Sequence, residues 1–523
     1  MPPLRLKPRH ALPLFSRHPW VYATALKRGA DGSDRMAGME VVVESDRGEP
    51  IARGLVNPAS LIRVRLYSWQ PERPLTADLF AERIAAAVAL RQRLLGQTHT
   101  GRLLFSEADG LSGLTVDAYD GYLLVQLGSA ALAARLETLL DQLEAAVQPR
   151  GIWLRVDDET ARREAMDAAD RLVRGEAPPR PLVIEQPAGR DRTVQFGVDL
   201  VGGQKTGFYF DQRENRIAAA EAAVELHRQL GRRVRVLDAH CYTGSFGCVI
   251  AKHAEVAGVD VSVLCVDSSA PALKMAARNA ELNGVHRTLT TEGGDVGQLL
   301  ATAAAEGRSW DLICLDPPKL ARTRKAMNRA MKAYVRLNAA ALAVLEPGGV
   351  LMTHSCSGLV DGVAFDQVLQ RAALDAGVSL RVLQRRGAAV DHAPSVFCPE
   401  TDYLKSRLVT VDRSLTMKES PDATSSGEPS SGEPSSREPS PREPSSGERS
   451  SDVAQPATVA AAAAAPNAVG ETSQPSDPTS PAPSVIPAAV PPAPPRPPAS
   501  DPPTDSSPAD RSSPLPPSEG SSV

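Results

Sequence analysis

From about residue 191 to 412, short apolar runs alternate with amphipathic stretches of helical spacing. The runs Val234-Arg-Val-Leu, Val263-Leu-Cys-Val, Leu312-Ile-Cys-Leu and Val350-Leu-Met-Thr predict strands. The stretches near 246–256, 270–282, 326–345 and 364–376 predict helices. Strands that alternate with helices make a mostly parallel sheet covered on both faces. Two later runs, Leu380-Arg-Val-Leu and Leu404-Lys-Ser-Arg-Leu-Val-Thr-Val, predict an antiparallel edge to that sheet.

Upstream the pattern differs. Residues 1–73 read as a small β-rich module, with Met39-Glu-Val-Val-Val-Glu and Leu61-Ile-Arg-Val-Arg-Leu-Tyr as strands and Gly48, Gly54 and Pro58 as turn signals. Residues 74–190 read as a middle α/β domain. It has an amphipathic helix at 76–98, a second helix at about 131–147, and the strand Ile152-Trp-Leu-Arg-Val. Two further strands meet at Asp120-Gly121, a strong hairpin signal. Residues 191–412 form the main α/β domain. From 413 to 523, Ser, Pro, Glu and Ala dominate, and too few large apolar groups remain to offset chain entropy, so this tail is expected to be disordered.

Composition narrows the function classes. A net charge of −4 over 523 residues gives no global case for nucleic acid, so any RNA contact must use local patches. One lies near the start, where Arg5, Lys7, Arg9, Arg17, Lys27, Arg28 and Arg35 interleave with Trp20 and Tyr22. Such a set can hold phosphates and stack bases, or be a solvated face over two core aromatics. No run of 18 strongly apolar residues and no signal peptide is apparent, and none of the six cysteines pairs as Cys-x-x-Cys. A cytoplasmic protein with reduced thiols and no metal or membrane is expected.

The chemistry gathers where the predicted strands end. Asp238, Asp267 and Asp316 each close an apolar run, and Asp295 follows a further one, at the edge where doubly wound sheets bind ligands. The turn Asp238-Ala-His-Cys-Tyr242-Thr243-Gly244 lacks the Gly-x-Gly-x-x-Gly spacing of a pyrophosphate site. A nucleoside without phosphates is favoured, with Asp267 on the ribose hydroxyls and Asp295 on an adenine amine. Asp316-Pro317-Pro318-Lys319 is a stiff loop at that edge, and Arg322, Arg324, Lys325, Arg329, Lys332 and Arg336 follow it. These are phosphate contacts or an exposed helix face. Cys265 and Cys314 fall inside strand runs, Cys241 and Cys248 flank the turn, and Cys398 is in a loop. Cys356, after the last parallel strand and before Ser357-Gly358, fits both a core thiol and a nucleophile.

Certain segments carry a likeness. They are Arg17-His-Pro-Trp-Val-Tyr22, Glu107-Ala-Asp-Gly-Leu-Ser-Gly-Leu-Thr-Val-Asp117 and Gly203-Gln-Lys-Thr-Gly-Phe-Tyr-Phe-Asp-Gln-Arg213, then Tyr242-Thr-Gly244, Asp316-Pro-Pro-Lys319, Ser355-Cys-Ser-Gly358 and Asp391-His392. On these, positions 1–412 resemble a bacterial family of class I S-adenosylmethionine-dependent 23S rRNA cytosine-C5 methyltransferases. The family has a PUA domain, a middle α/β domain and a Rossmann-like domain. The resemblance implies S-adenosylmethionine as cofactor, 23S rRNA as partner, and leaves a homodimer open. It implies catalytic Cys356 and Asp316, and a cofactor set of Asp238, Tyr242, Thr243, Gly244, Asp267, Asp295, Asp316 and Pro317. Lys205, Phe208, Arg213 and Lys319 would meet the substrate.

In the implied scheme, Cys356 attacks C6 of a flipped-out cytosine, which makes C5 nucleophilic enough to accept a methyl group. Ser245 and His240 depart from the glycine and aromatic residue common in relatives. Lys319 stands where many RNA cytosine-C5 enzymes carry a second cysteine, so one cysteine must suffice. Methylation of an exocyclic base amine, which needs no nucleophile, and a non-catalytic RNA-binding assembly factor are the competing readings.

Overall fold

The computed structural model describes residues 3–29, 31–96, 99–189, 192–202, 207–321 and 323–412. The expectations for Lys205, Arg322 and the 413–523 tail lie outside these residues.

Five strands form the N-terminal sheet, in the order Leu4–Arg5, Glu40–Glu44, Pro50–Val56, Ile62–Ser68, Trp20–Tyr22. Alternation sets its core: Val41 and Val43 point inward while Glu40, Val42 and Glu44 are only partly covered. The strand Pro50–Val56 runs through Gly54, which reads as a turn residue in the sequence. Here the glycine serves a close approach instead, because a Cβ would lie 2.3 Å from the Arg65 carbonyl oxygen.

A second five-stranded sheet follows, in the order Ala169–Gly175, Gly151–Val156, Tyr122–Leu127, Leu114–Tyr119, Thr100–Phe105. Its hairpin turns at Asp120 and Gly121, with φ of 45° and 87°, the double positive φ that Asp-Gly accommodates. The helices Ala77–Leu95 and Leu136–Val147 bury Leu79, Ile84, Leu139 and Leu143 against it. A two-stranded hairpin, Leu182–Pro187 with Thr193–Val198, straddles residue 190, and its buried Ile184 and Phe196 join the core of the large sheet.

The large sheet has seven strands. The first is Val234–Ala239, then Val261–Asp267, Leu289–Gly293, Trp310–Leu315, Leu345–Ser355, Ser379–Arg386 and, seventh, Lys405–Asp412. In space they run third, second, first, fourth, fifth, seventh, sixth. The first five are parallel, so their C-terminal ends share one edge. The antiparallel edge read from the sequence is present, and the seventh strand is the one inserted beside the fifth. Helices Ser245–Ala257, Ala270–Leu282, Met327–Ala343 and Gly362–Asp375 match the expected ones. Arg213–Leu230 and Val296–Ala305 were not legible, since alanine runs mark no apolar stripe. The α/β class and Rossmann-like layout therefore stand. No helix of the described residues is long and apolar enough to cross a membrane.

Asp391 joins the middle sheet to the large one. Its fully buried carboxylate accepts Arg213 Nη1 at 3.1 Å and Nη2 at 3.2 Å, and the Arg102 backbone N–H at 3.0 Å. Its carbonyl accepts Arg91 Nη2 at 2.8 Å. Burial alone would raise this carboxyl, yet His392, Arg213 and the Arg102 N–H together hold it far below the ordinary carboxylate range.

The N-terminal sheet is tied in by Arg65, which reaches Glu107 at 3.3 Å and Glu164 at 3.4 Å. Glu400 adds a second link, accepting from His18 Nε2 at 3.1 Å and from Cys398 Sγ at 3.4 Å. The Trp20 backbone N–H donates to His18 Nδ1 at 3.3 Å, so hydrogen bonds run through His18, Glu400 and Cys398.

Candidate functional site

Register brings the expected acids together. Asp238 pairs with Cys265 and with Cys314 in its two neighbours, Asp267 with Gly293, and Leu315 with Thr353. Asp267, Asp316 and Cys356 therefore leave their strands at the same edge. Between them the turn 240–244 places His240, Tyr242 and Gly244 at φ of 62°, 50° and 73°. Two side-chain-bearing residues in the left-handed region are a strained arrangement, of the kind that clusters at binding loops. Gly244 has a packing reason as well: a Cβ there would lie 2.9 Å from the Ala276 Cβ.

Asp267 holds this turn. Its Oδ2 accepts the Tyr242 N–H at 3.0 Å and its Oδ1 the Ser269 N–H at 2.9 Å. Each oxygen retains a lone pair for a further donor. The Thr243 carbonyl accepts from Asn279, which also anchors Gly197, so the turn is fixed to the neighbouring helix.

Asp238 is a different case. It is 1% exposed, and its Oδ2 accepts the Gly247 N–H at 2.9 Å inside the helix that follows the turn. Burial pushes its carboxyl up to about 7. In this structure Asp238, expected among the cofactor residues, holds the turn from beneath. Asp295 caps the helix Val296–Ala305 by accepting the Gln298 N–H at 2.9 Å, and stays exposed at the same edge.

Asp316 and Cys356 face the middle of the edge. Burial, with Asp211 nearby, pushes the Asp316 carboxyl up to about 7, against a 2.9 Å hydrogen bond from Gln212 Nε2. Pro317 is buried behind it, and Lys319 is exposed beyond it. Cys356 is partly exposed, whereas Cys241, Cys248, Cys265, Cys314 and Cys398 are all buried. Ser357 stitches the two loops together, its Oγ accepting the Ala321 N–H at 3.2 Å and lying 3.1 Å from the Tyr334 hydroxyl. His354, two residues before Cys356, is turned into the core. It bonds Ser406 at 2.7 Å, and burial lowers its ring to about 3, so it is no base for the thiol.

Two residues expected to meet the substrate are engaged inside the fold. Phe208 is 2% exposed and packs against Phe196 and Phe210 at 4.9 Å and 5.3 Å between ring centroids. Arg213 is 4% exposed and committed to Asp391. In both cases the motif gives its residue a packing role in this structure. Its residue at the site is Tyr209, which sequence reasoning missed. The Tyr209 ring stacks edge-on to Tyr242 at 5.5 Å. Its hydroxyl is pushed up by burial, then by Asp316, Asp211, Cys356 and Asp267, which places it among all the groups of the edge. Arg216 fixes the Tyr209 backbone through its carbonyl. The run of aromatics 208–210 hid which ring faces outward.

The basic patches also separate. Near the start, Arg5 pairs with Glu44 and Trp20 Nε1 donates to Glu107 at 3.0 Å, so part of that patch serves internal packing. Beside Asp316, by contrast, Arg324, Lys325, Arg329, Lys332 and Arg336 are exposed, and none joins an ion pair among the described residues.

Two family models match the chain. A family model described as a PUA-like domain matches residues 4–69, and one described as a methyltransferase small domain matches residues 220–372. The chain is similar to a solved protein from Streptococcus mutans assigned as a SAM-dependent methyltransferase. That likeness has a TM-score of 0.65 at 16% identity and covers 79% of this chain and 100% of that one, which is a likeness of fold.

The protein named ribosomal RNA large subunit methyltransferase I from Shewanella denitrificans is 37% identical over 411 residues, covering 78% of this chain and 99% of its own. That of Photobacterium profundum is 36% identical over 395 residues, covering 75% and 95%. With near-complete coverage of such relatives, the chain belongs to the ribosomal RNA large subunit methyltransferase I family.

Proposed function

We propose that this chain is an S-adenosylmethionine-dependent methyltransferase of the cytoplasm that methylates C5 of a cytosine in 23S rRNA through a covalent Cys356 adduct. The observation that carries the reading is the partly exposed Cys356 at the strand-end edge, grouped around Tyr209 with Asp316 and Asp267. The family membership and the names of its relatives support RNA as substrate. The unpaired cations from Arg324 to Arg336 support a phosphate backbone lying beside the site.

The donor set fits the cofactor. Asp267 has lone pairs left for ribose hydroxyls, Asp295 keeps an oxygen for an adenine amine, and the 242–244 turn is held against Asp267 by the Tyr242 N–H. When bound, S-adenosylmethionine supplies an electrophilic methyl group on a sulfonium. The chain's own residues make the base reactive. The Cys356 thiolate adds at C6 and drives negative charge toward N3. Asp316, held near 7, is protonated in part at neutral pH and can donate a hydrogen bond where that charge appears. Loss of the C5 proton then allows the sulfur to leave. Lys319 stands at the mouth for a substrate phosphate.

RNA carrying 5-fluorocytosine at the target should trap an adduct on Cys356, because fluorine cannot leave as the C5 proton does. Methylated RNA with no adduct would sink the reading and favour an exocyclic amine. In addition, Asp267→Ala should weaken S-adenosylmethionine binding by about 1.5–3 kcal/mol, the value of hydrogen bonds to a charged group. Calorimetry on the folded variant checks this, and unchanged affinity would remove Asp267 from the ribose role.

A further inference from the structure

Lys405 opens the seventh strand opposite Ser355 and is only 5% exposed. Its Nζ donates to the Ser357 carbonyl at 2.9 Å and to the Tyr403 carbonyl at 2.8 Å. No carboxylate of the described residues lies within ion-pair distance of it. A buried ammonium held only by carbonyls is costly unless an anion stands nearby. Two ionisable groups flank the carbonyls it grips: the exposed Asp402 beside Tyr403, and the partly exposed Cys356 beside Ser357.

We propose that Lys405 is a positioning residue for Cys356: its ammonium is the counter-ion that favours the thiolate, and its bond to Ser357 fixes the Cys356–Ser357 peptide. This rests on the covalent reading above and supplies what that reading lacks, a reason for the thiol to ionise at neutral pH.

The surrounding groups are consistent with the pairing. Asp402, Asp361 and Lys319 also act on Lys405, and Tyr209 and Tyr334 lie near Cys356. Both tyrosine hydroxyls are pushed up by burial, so neither is charged at neutral pH. Lys319 is exposed, and solvent screens its charge. Burial lowers the Lys405 ammonium, and Asp402 first and then Cys356 act to raise it; the Cys356 part is the reciprocal of the effect proposed for the thiol.

The test is the pH dependence of iodoacetamide alkylation of Cys356 in the full chain, read by mass spectrometry of its peptide. The five buried cysteines give little background. Lys405→Met should move the midpoint up by about one pH unit or more, a tenfold loss of thiolate at a given pH. Lys405→Arg should restore most of it, while melting temperature and S-adenosylmethionine affinity report folding. If Lys405→Met does not fold, Lys405→Gln keeps a donor for the carbonyls without the charge and carries the same expectation.

An unmoved midpoint in a folded, uncharged variant would overturn the proposal. So would accumulation of an adduct with ordinary cytosine in that variant, which would make Lys405 the base that removes the C5 proton. A midpoint that moves in a chain forming no fluorocytosine adduct would uphold the Lys405–Cys356 pairing while the covalent mechanism falls.

Discussion

Cys356→Ala should reduce methyl transfer by about 10⁴-fold or more, the scale of loss when a covalent nucleophile is removed, with cofactor affinity nearly unchanged. C5 of cytosine is a poor nucleophile until sulfur adds at C6, so no hydroxyl or water at the site can substitute. The structure narrows the candidates further. The other five thiols are buried, and burial beside Glu400 pushes the Cys398 thiol well up. Cys398→Ala should therefore stay active, since its sulfur serves the link between Glu400 and His18. The measurement is single-turnover transfer of labelled methyl to rRNA, with calorimetry for the cofactor. Substantial turnover in Cys356→Ala would exclude the covalent route.

Asp391→Ala should destabilise the fold by about 3–5 kcal/mol, because it leaves Arg213 buried without its main counter-ion and strips the acceptor from the Arg102 N–H. The pH dependence has a definite sign. The folded carboxyl sits far below its ordinary value of 3.8, so its contribution is fully present above that value. The contribution is lost as pH falls below 3.8 toward the folded value. Urea unfolding of wild type and variant should differ most at neutral pH and converge in strong acid. A neutral-pH difference under about 1 kcal/mol would mean that Arg213 finds another partner.

Both residues belong to motifs, and they show what a sequence can and cannot reveal. The parallel sheet was legible because apolar runs and helical stretches alternate, and the carboxylates that end those runs mark the edge where Asp267, Asp316 and Cys356 emerge. Motif membership did not say which way a side chain points. Phe208 and Tyr209 are neighbours, yet one is core and the other faces the site. Arg213 and Asp391 are about 180 residues apart, and only the folded chain shows that they clasp each other. Lys405 was hidden for a third reason: a lysine opening a strand reads as solvent-facing until the strand is known to be interior.

That interior position has a consequence for how the protein loosens. Chain ends commonly fray first, and their amides exchange with solvent early. Lys405–Asp412 closes the described part of the chain, but it is hydrogen-bonded on both sides, to Leu345–Ser355 and to Ser379–Arg386. It cannot peel away without breaking two ladders at once, so its opening belongs with the unfolding of the whole sheet. The strand that begins at Lys405 is thereby kept from local breathing.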